Sequence, residues 1–222
     1  MSETKKGLYV VFTGAPGCGK GTQARILKEK THICHLSTGE MLREYAAQDT
    51  PLGRDLKALL DKGEFATDEM IIEMVRNRIG KPDCEHGFIL DGFPRTLPQA
   101  EVLESLLAEK GIKLTCVLEI QVPDEIIMER ILGRYSCLKC GAGYHDKFQK
   151  PKVYGVCDVC GGTEFGRRKD DNRATVQNRL VNYRLLTYPT IPFFEKRGLL
   201  RTVDGTGTIE AVSNKIDEIL GI

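Results

Sequence analysis

The chain has 222 residues, 41% hydrophobic and 28% charged, with a formal net charge of +1. That is the composition of an ordinary globular protein rather than a disordered or collagenous one. So even a balance gives no general drive toward nucleic acid or an anionic membrane, and no run approaches the ~18 apolar residues of a spanning helix.

The N-terminal stretch MSETKKGLYVVFTG carries lysines ahead of an apolar run at 8–12, too short for the core of a signal peptide. A cytoplasmic location is expected, with uncleaved import into an organelle left open. LYVVFTG at 8–14 predicts the first strand. A glycine-rich turn follows, then a helix over 20–30. HICHLS at 32–37 is a fainter strand, and 37–66 holds short helical pieces. Thr67 has the chemistry of an N-cap, with Asp68 and Glu69 behind it and Ile72, Val75 and Ile79 at helical spacing. GFILDGF (87–93), TCVLEIQV (115–122) and LLRTVDG (199–205) predict further strands. Helices that open on proline are predicted over 98–110 and 123–132. The strands are apolar almost without interruption, as in a parallel sheet covered on both faces. Their alternation with helices predicts a doubly wound α/β core of about five strands. The expected organisation is a core of 1–36, 67–132 and 172–222 with an insert at 37–66 and a small β-rich insert at 133–171.

The turn after the first strand reads Gly14-Ala-Pro-Gly17-Cys18-Gly19-Lys20-Gly21-Thr22 and opens a helix. That is the context of a P-loop. Glycines let backbone N–H groups face a phosphate, the helix N-terminus adds positive partial charge, and Lys20 would hold the β and γ phosphates. The generic pattern is altered in one place: Gly21 stands between Lys20 and the hydroxyl of Thr22. Cys18 is either a small residue tolerated in the loop or a thiol activated by the helix end.

Phosphoryl transfer is mostly positioning and charge neutralisation. STGEMLR at 37–43 offers Thr38 as a hydroxyl partner and Arg43 as a phosphate partner. DGFPR at 91–95 ends a strand, where ligands gather in open α/β sheets. Arg95 can grip phosphate bidentately, and Asp91 can hold Mg²⁺ through water. Read singly, Thr38 is also a candidate helix cap, Asp91 a turn residue and Arg95 a surface ion pair.

The motifs GAPGCGKGT (14–22), LSTGEMLR (36–43), DGFPRTLPQ (91–99), RILGR (130–134) and RKDDNRATVQNRL (168–180) resemble the nucleoside monophosphate kinases, and within them the adenylate kinases. They run in family order along essentially the whole chain. The resemblance implies transfer of the γ-phosphoryl group of MgATP to AMP, giving two ADP, in a monomer with no nucleic-acid or membrane partner. It implies an AMP site of Thr38, Arg43, Gly92, Phe93, Pro94, Arg95 and Gln99 with backbone groups of Glu64, Phe65 and Ala66. Gln99 would read the adenine edge. It implies ATP contacts from Gly17, Cys18, Gly19, Lys20, Gly21, Thr22, Arg130, Arg134, Gly143, Tyr144 and Gly207. Arg130 would stack on the donor adenine, and Arg168 and Arg179 would face the transferring group and the AMP site. Lys20, Asp91, Arg95, Arg130, Arg134, Arg168 and Arg179 are thus the implied catalytic set. Asp170 and Asp171 would tie the second insert to its arginines. Arg130 and Arg134 are four apart and read as one helix face.

Cys137-x2-Cys140-x16-Cys157-x2-Cys160 has zinc-ribbon spacing. Four sulfur ligands leave no open position, so a structural Zn²⁺ is expected; iron also suits such a site, and two disulfides are the alternative. His145 is a spare ligand or a packing residue. Rival readings are a kinase for another donor or acceptor (GTP with AMP, or ATP with UMP or CMP) and a nucleic-acid module built on the ribbon.

Overall fold

The computed structural model describes residues 7–62 and 66–222. The central sheet has five parallel strands, β1 (Leu8–Thr13), β2 (Cys34–Ser37), β3 (Gly87–Asp91), β4 (Cys116–Gln121) and β8 (Leu200–Asp204), in the order β2-β3-β1-β4-β8. The strands of strongest apolar character, β3, β1 and β4, lie in the middle. The fainter β2 stands at an edge, where half its environment is not core.

Side chains alternate across this sheet. Val11, Phe88, Leu90 and Val117 point to one face, and Val10, Phe12, Ile89 and Leu118 to the other. The first face is covered by α4 (Asp68–Ile79), α5 (Leu97–Glu109) and α8 (Thr190–Glu195), together with α2 (Thr38–Ala46) and α3 (Pro51–Lys62). The second is covered by α1 (Lys20–Thr31) and α9 (Ile209–Leu220). Phe88 is fully buried, and truncating it to alanine would cost about 3–5 kcal/mol.

The caps explain the boundaries. Thr67 accepts from Met70 N as expected. Ser37, not Thr38, caps α2 by accepting from Glu40 N. Thr96 caps α5, which places Pro98 in its first turn. Gly133 ends α6 (Asp124–Leu132), so Arg134 is the first residue of β5 (Arg134–Cys137). The reading of Arg130 and Arg134 as one helix face is therefore wrong, because the chain changes from helix to strand between them.

β5 pairs antiparallel with β6 (Gly143–His145) and β7 (Phe165–Gly166). This small sheet has a core of Cys137, Ala142, Tyr144 and Cys157, against which Tyr135 and Phe165 pack. After it comes α7 (Arg173–Asn182), which buries Val176 and Leu180 against Ile127 and Ile131 of α6. The helices α7, α8 and α9 extend the sequence reading, which assigned none after 172. In α7 so few positions are apolar that periodicity gives little signal.

Candidate functional site

The C-terminal ends of β1 and β3 lie side by side, with Phe12 beside Asp91 in the register. Residues 14–19 leave β1 and turn into α1 at Gly19. Gly14 has φ 130°, and a Cβ there would lie 2.5 Å from the Ile120 carbonyl, so the turn needs glycine. The Lys20 ammonium lies across the loop and donates to the carbonyls of Gly14 (2.7 Å) and Ala15 (3.0 Å). Cys18 is buried, and its Sγ is 3.5 Å from Lys20 Nζ. Thr22 is exposed in the first turn of α1.

Asp91 sits opposite. A Cβ on Gly21 would come within 3.4 Å of its Oδ2, so this strand end and the loop are in near contact. Burial works against the Asp91 carboxylate. The hydrogen bond to His35 and the charges of Lys20 and Arg95 outweigh it, and its pKa lies below the ordinary aspartate value. Such an anionic oxygen group at the mouth of a phosphate loop suits a hydrated Mg²⁺. His35 lies 3.4 Å from Asp91 Oδ2, and nothing in the local sequence marks it as part of the site. Its place on the neighbouring strand, beside the DGFPR strand, is the signal that could have found it.

Gly92 has φ 85°, and a Cβ there would strike Thr38 Oγ1 and an Arg95 nitrogen. Thr38 donates to the Gly92 carbonyl at 2.9 Å, and Arg95 Nε donates to the same oxygen at 2.8 Å. Phe93 and Pro94 are buried behind them, and Ala66 is buried as well. Glu64 and Phe65 lie outside the described residues. Gln99 is 2% exposed. Its Oε1 accepts from Arg95 N, and its Nε2 donates to Asp68 Oδ1, both at 2.7 Å. Sequence reasoning saw Asp68 only as a first-turn acid of α4.

The arginines meet here. Arg95 is pushed down to about 10, by burial first and then by Arg179 and Arg43, with Asp91 pulling the other way. Arg43 is lowered by burial and by Arg134 and Arg179, against Asp170 and Glu40. Arg168, though exposed, is pulled the same way by partial desolvation and by Arg134 and Arg43. All remain cationic at neutral pH. Like charges are thus held close together, an arrangement that disfavours itself and favours a polyanion. Arg134 grips Asp171 bidentately at 2.5 and 2.6 Å, and Arg179 is paired with Asp170. Arg130 stands slightly apart. It donates to the carbonyls of Gly205 (2.9 Å) and Cys18 (3.4 Å), linking the phosphate loop to the turn that holds Gly207. The first insert is tied to the core helix α7, because Thr175 and Asn178 donate to the carbonyls of Asp61 and Lys62.

Gly143 and Tyr144 belong to the fabric of the second insert. The Tyr144 hydroxyl donates to Cys157 Sγ (3.3 Å) and accepts from Asp158 N (2.7 Å). The four thiols of 137, 140, 157 and 160 lie within 4.8 Å of one another. Cys137 to Cys160 and Cys140 to Cys157 are each 3.6 Å. A tetrahedron with metal–sulfur bonds of ~2.3 Å has edges of ~3.8 Å, whereas a disulfide needs ~2.05 Å. The donor set therefore fits a four-sulfur metal ion. Gly141 and Gly161, both in the left-handed region, close the two knuckles by donating to the Cys137 and Cys157 carbonyls at 2.9 Å. His145 is not part of this cluster. Its Nδ1 accepts from Lys147 N and Phe148 N, which leaves Nε2 to donate to the Glu129 carbonyl at 3.1 Å. It ties the insert to α6.

A phosphate loop, a strand-end Asp-Gly-Phe-Pro-Arg and converging arginines on a parallel α/β sheet define a nucleotide phosphotransferase. The adenylate kinase family profile matches residues 12–199. An adenylate kinase of Paramagnetospirillum magneticum is 50% identical over 96% of this chain and 98% of its own length. One from Carboxydothermus hydrogenoformans is 50% identical over 96% and 99%, and one from Clostridium tetani 46% over the same shares. The chain belongs to the adenylate kinase family.

Proposed function

We propose that this chain catalyses the reversible reaction ATP + AMP = 2 ADP with Mg²⁺. The observation that carries the reading is a chain of neighbouring cations that starts at the Asp91 strand end: Lys20 and Arg95 act on Asp91, Arg43 and Arg179 act on Arg95, and Arg134 acts on Arg43 and Arg168. The donor phosphates lie in the loop of Gly17 to Thr22 under Lys20, with Arg130 and Gly207 toward the donor base. The acceptor phosphate is gripped by Arg43 and Arg95, and its base lies toward Thr38 and Gln99. Mg²⁺, carried with ATP and steadied by Asp91, supplies charge neutralisation at the phosphates. Arg134, Arg168 and Arg179 stabilise charge on the transferring group and exclude water as the inserts close. Zn²⁺ in the four-cysteine site is structural.

The inserts 37–66 and 133–171 act as mobile covers on a steady core, and a bisubstrate analogue of two adenosines joined through phosphates should draw them together. One chain supplies every residue named, so a monomer suffices; size-exclusion chromatography checks this. The deciding experiment is a coupled assay pairing ATP or GTP with AMP, UMP or CMP. ATP with AMP is expected to be fastest by far. Equal rates across acceptors would mean a broad nucleoside monophosphate kinase.

A further inference from the structure

A side-chain amide can read a base edge only if the structure decides which end is oxygen and which is nitrogen. The two ends of Gln99 have nearly the same shape, and only their partners fix them. One partner is the Arg95 backbone N–H, a donor that must face Oε1. The other is the Asp68 carboxylate, an acceptor that must face Nε2. Asp68 is itself held, because its Oδ2 accepts from the Thr96 hydroxyl at 2.8 Å. The same Thr96 oxygen caps α5 by accepting from Gln99 N at 3.3 Å. A closed ring of bonds therefore joins the start of α4, the start of α5 and the Gln99 amide.

We infer that Asp68 is a positioning residue for acceptor-base specificity: it locks the Gln99 amide in the orientation that selects a 6-aminopurine over a 6-oxopurine. After its two fixed bonds, Gln99 retains one acceptor lone pair on Oε1 and one proton on Nε2. A base docking there must offer a donor to the oxygen and an acceptor to the nitrogen. The amino group and N1 of adenine offer that pair. The carbonyl and N1–H of hypoxanthine or guanine offer the reverse and would leave two buried groups facing like partners, which is what makes polar rejection strong. The inference rests on Gln99 lying in the AMP site, as proposed above.

The test uses AMP and inosine monophosphate, which match in size and differ in this edge. In the wild-type chain kcat/KM should favour AMP strongly. Asp68→Asn keeps the shape but offers either end of an amide to Gln99, so the AMP-to-IMP ratio of kcat/KM should fall by at least ~10-fold. KM for AMP should rise more than kcat falls, because base capture is lost rather than phosphate positioning. Gln99→Leu should also collapse the ratio. If both acceptors weaken in proportion in Asp68→Asn, with the ratio intact, Asp68 is merely structural and the inference fails. It also fails if Gln99→Leu keeps the wild-type ratio. A wild-type chain that does not distinguish AMP from IMP would instead overturn the acceptor reading itself, before any variant is made.

Discussion

Replacing Arg95 with methionine separates a catalytic cation from a structural one. The Arg95 pKa falls from 12.5 to about 10, which corresponds to roughly 3 kcal/mol against the cation in its folded surroundings. Solvent still reaches part of the group, so about half of that is the fairer figure. Losing the guanidinium's contacts, the Nε bond to the Gly92 carbonyl among them, costs about 1.5–2 kcal/mol in the other direction. The terms nearly cancel. Stability without ligand should change by no more than about 1 kcal/mol, a Tm shift under roughly 4 °C for a chain of this size. Turnover should fall at least ~100-fold, because the cation's value is realised on the transferring phosphate. Thermal melts with and without the bisubstrate analogue, beside a coupled assay, read both quantities. The variant should also lose most of the analogue's stabilising effect. A ligand-free Tm lower by about 8 °C or more, with near-normal kcat, would refute the reasoning and make Arg95 a structural residue.

Lys20→Met should likewise lower kcat at least ~100-fold in a folded chain; near-normal turnover in the assay would remove Lys20 from the donor site. Asp91→Asn tests the linkage sign. A carboxyl held below its ordinary value contributes stability that is full above about pH 4 and is lost as pH falls through the lower folded value. The difference in urea midpoint between wild type and variant should therefore shrink as pH drops from about 6 to about 3, and a constant difference would contradict the Asp91 shift. Elemental analysis should find about one zinc per chain. Cys34, Asp83 and Cys84 also cluster, but the Arg78 guanidinium already bonds both Asp83 oxygens and Cys84 Sγ, so no second ion is expected there. Chelation should lower Tm and release the amide protons of β5 to β7 to exchange, since so small a core needs its staple; protection unchanged after metal loss would show that the insert folds without it.

The parts of the site that sequence made legible are those encoded within a few residues. The glycine loop, the strand-ending DGFPR and the paired CxxC knuckles each carry their geometry locally. The central strands β1, β3 and β4 were readable for the same reason, since burial on both faces leaves a continuous apolar run, whereas the edge strands β2 and β8 are less apolar. What sequence concealed was encoded across distance. His35 reaches Asp91 over 56 positions and Asp68 reaches Gln99 over 31, and no local pattern marks either pair. Arg134 misled because helical spacing from Arg130 is only a coincidence once Gly133 has ended the helix. The family resemblance implies Tyr144 as an ATP-contact position, without saying which of its atoms. In the fold its side chain is 4% exposed and its hydroxyl braces the cysteine knuckle, so the ring serves the insert's own core.

The arrangement of charges argues for the order of events. Arg43 stands on the first insert, Arg95 on the core, and Arg134 and Arg168 come from the second insert. Their mutual repulsion is tolerated where acids intervene: Asp171 against Arg134, Asp170 against Arg179, Asp91 near Arg95. In the proposed arrangement a donor triphosphate alone leaves Arg43 and Arg95, on the acceptor side, without a phosphate. Donor and acceptor together reach the whole set, so the proposed closure should be complete only when both are bound. Water entering with ATP alone then meets an incompletely gathered set of cations, and the transition state for hydrolysis lacks the stabilisation that transfer to AMP receives. The proposed gathering of arginines is thus expected to favour AMP over water as the acceptor, and ATP hydrolysis without AMP running as fast as transfer would refute it.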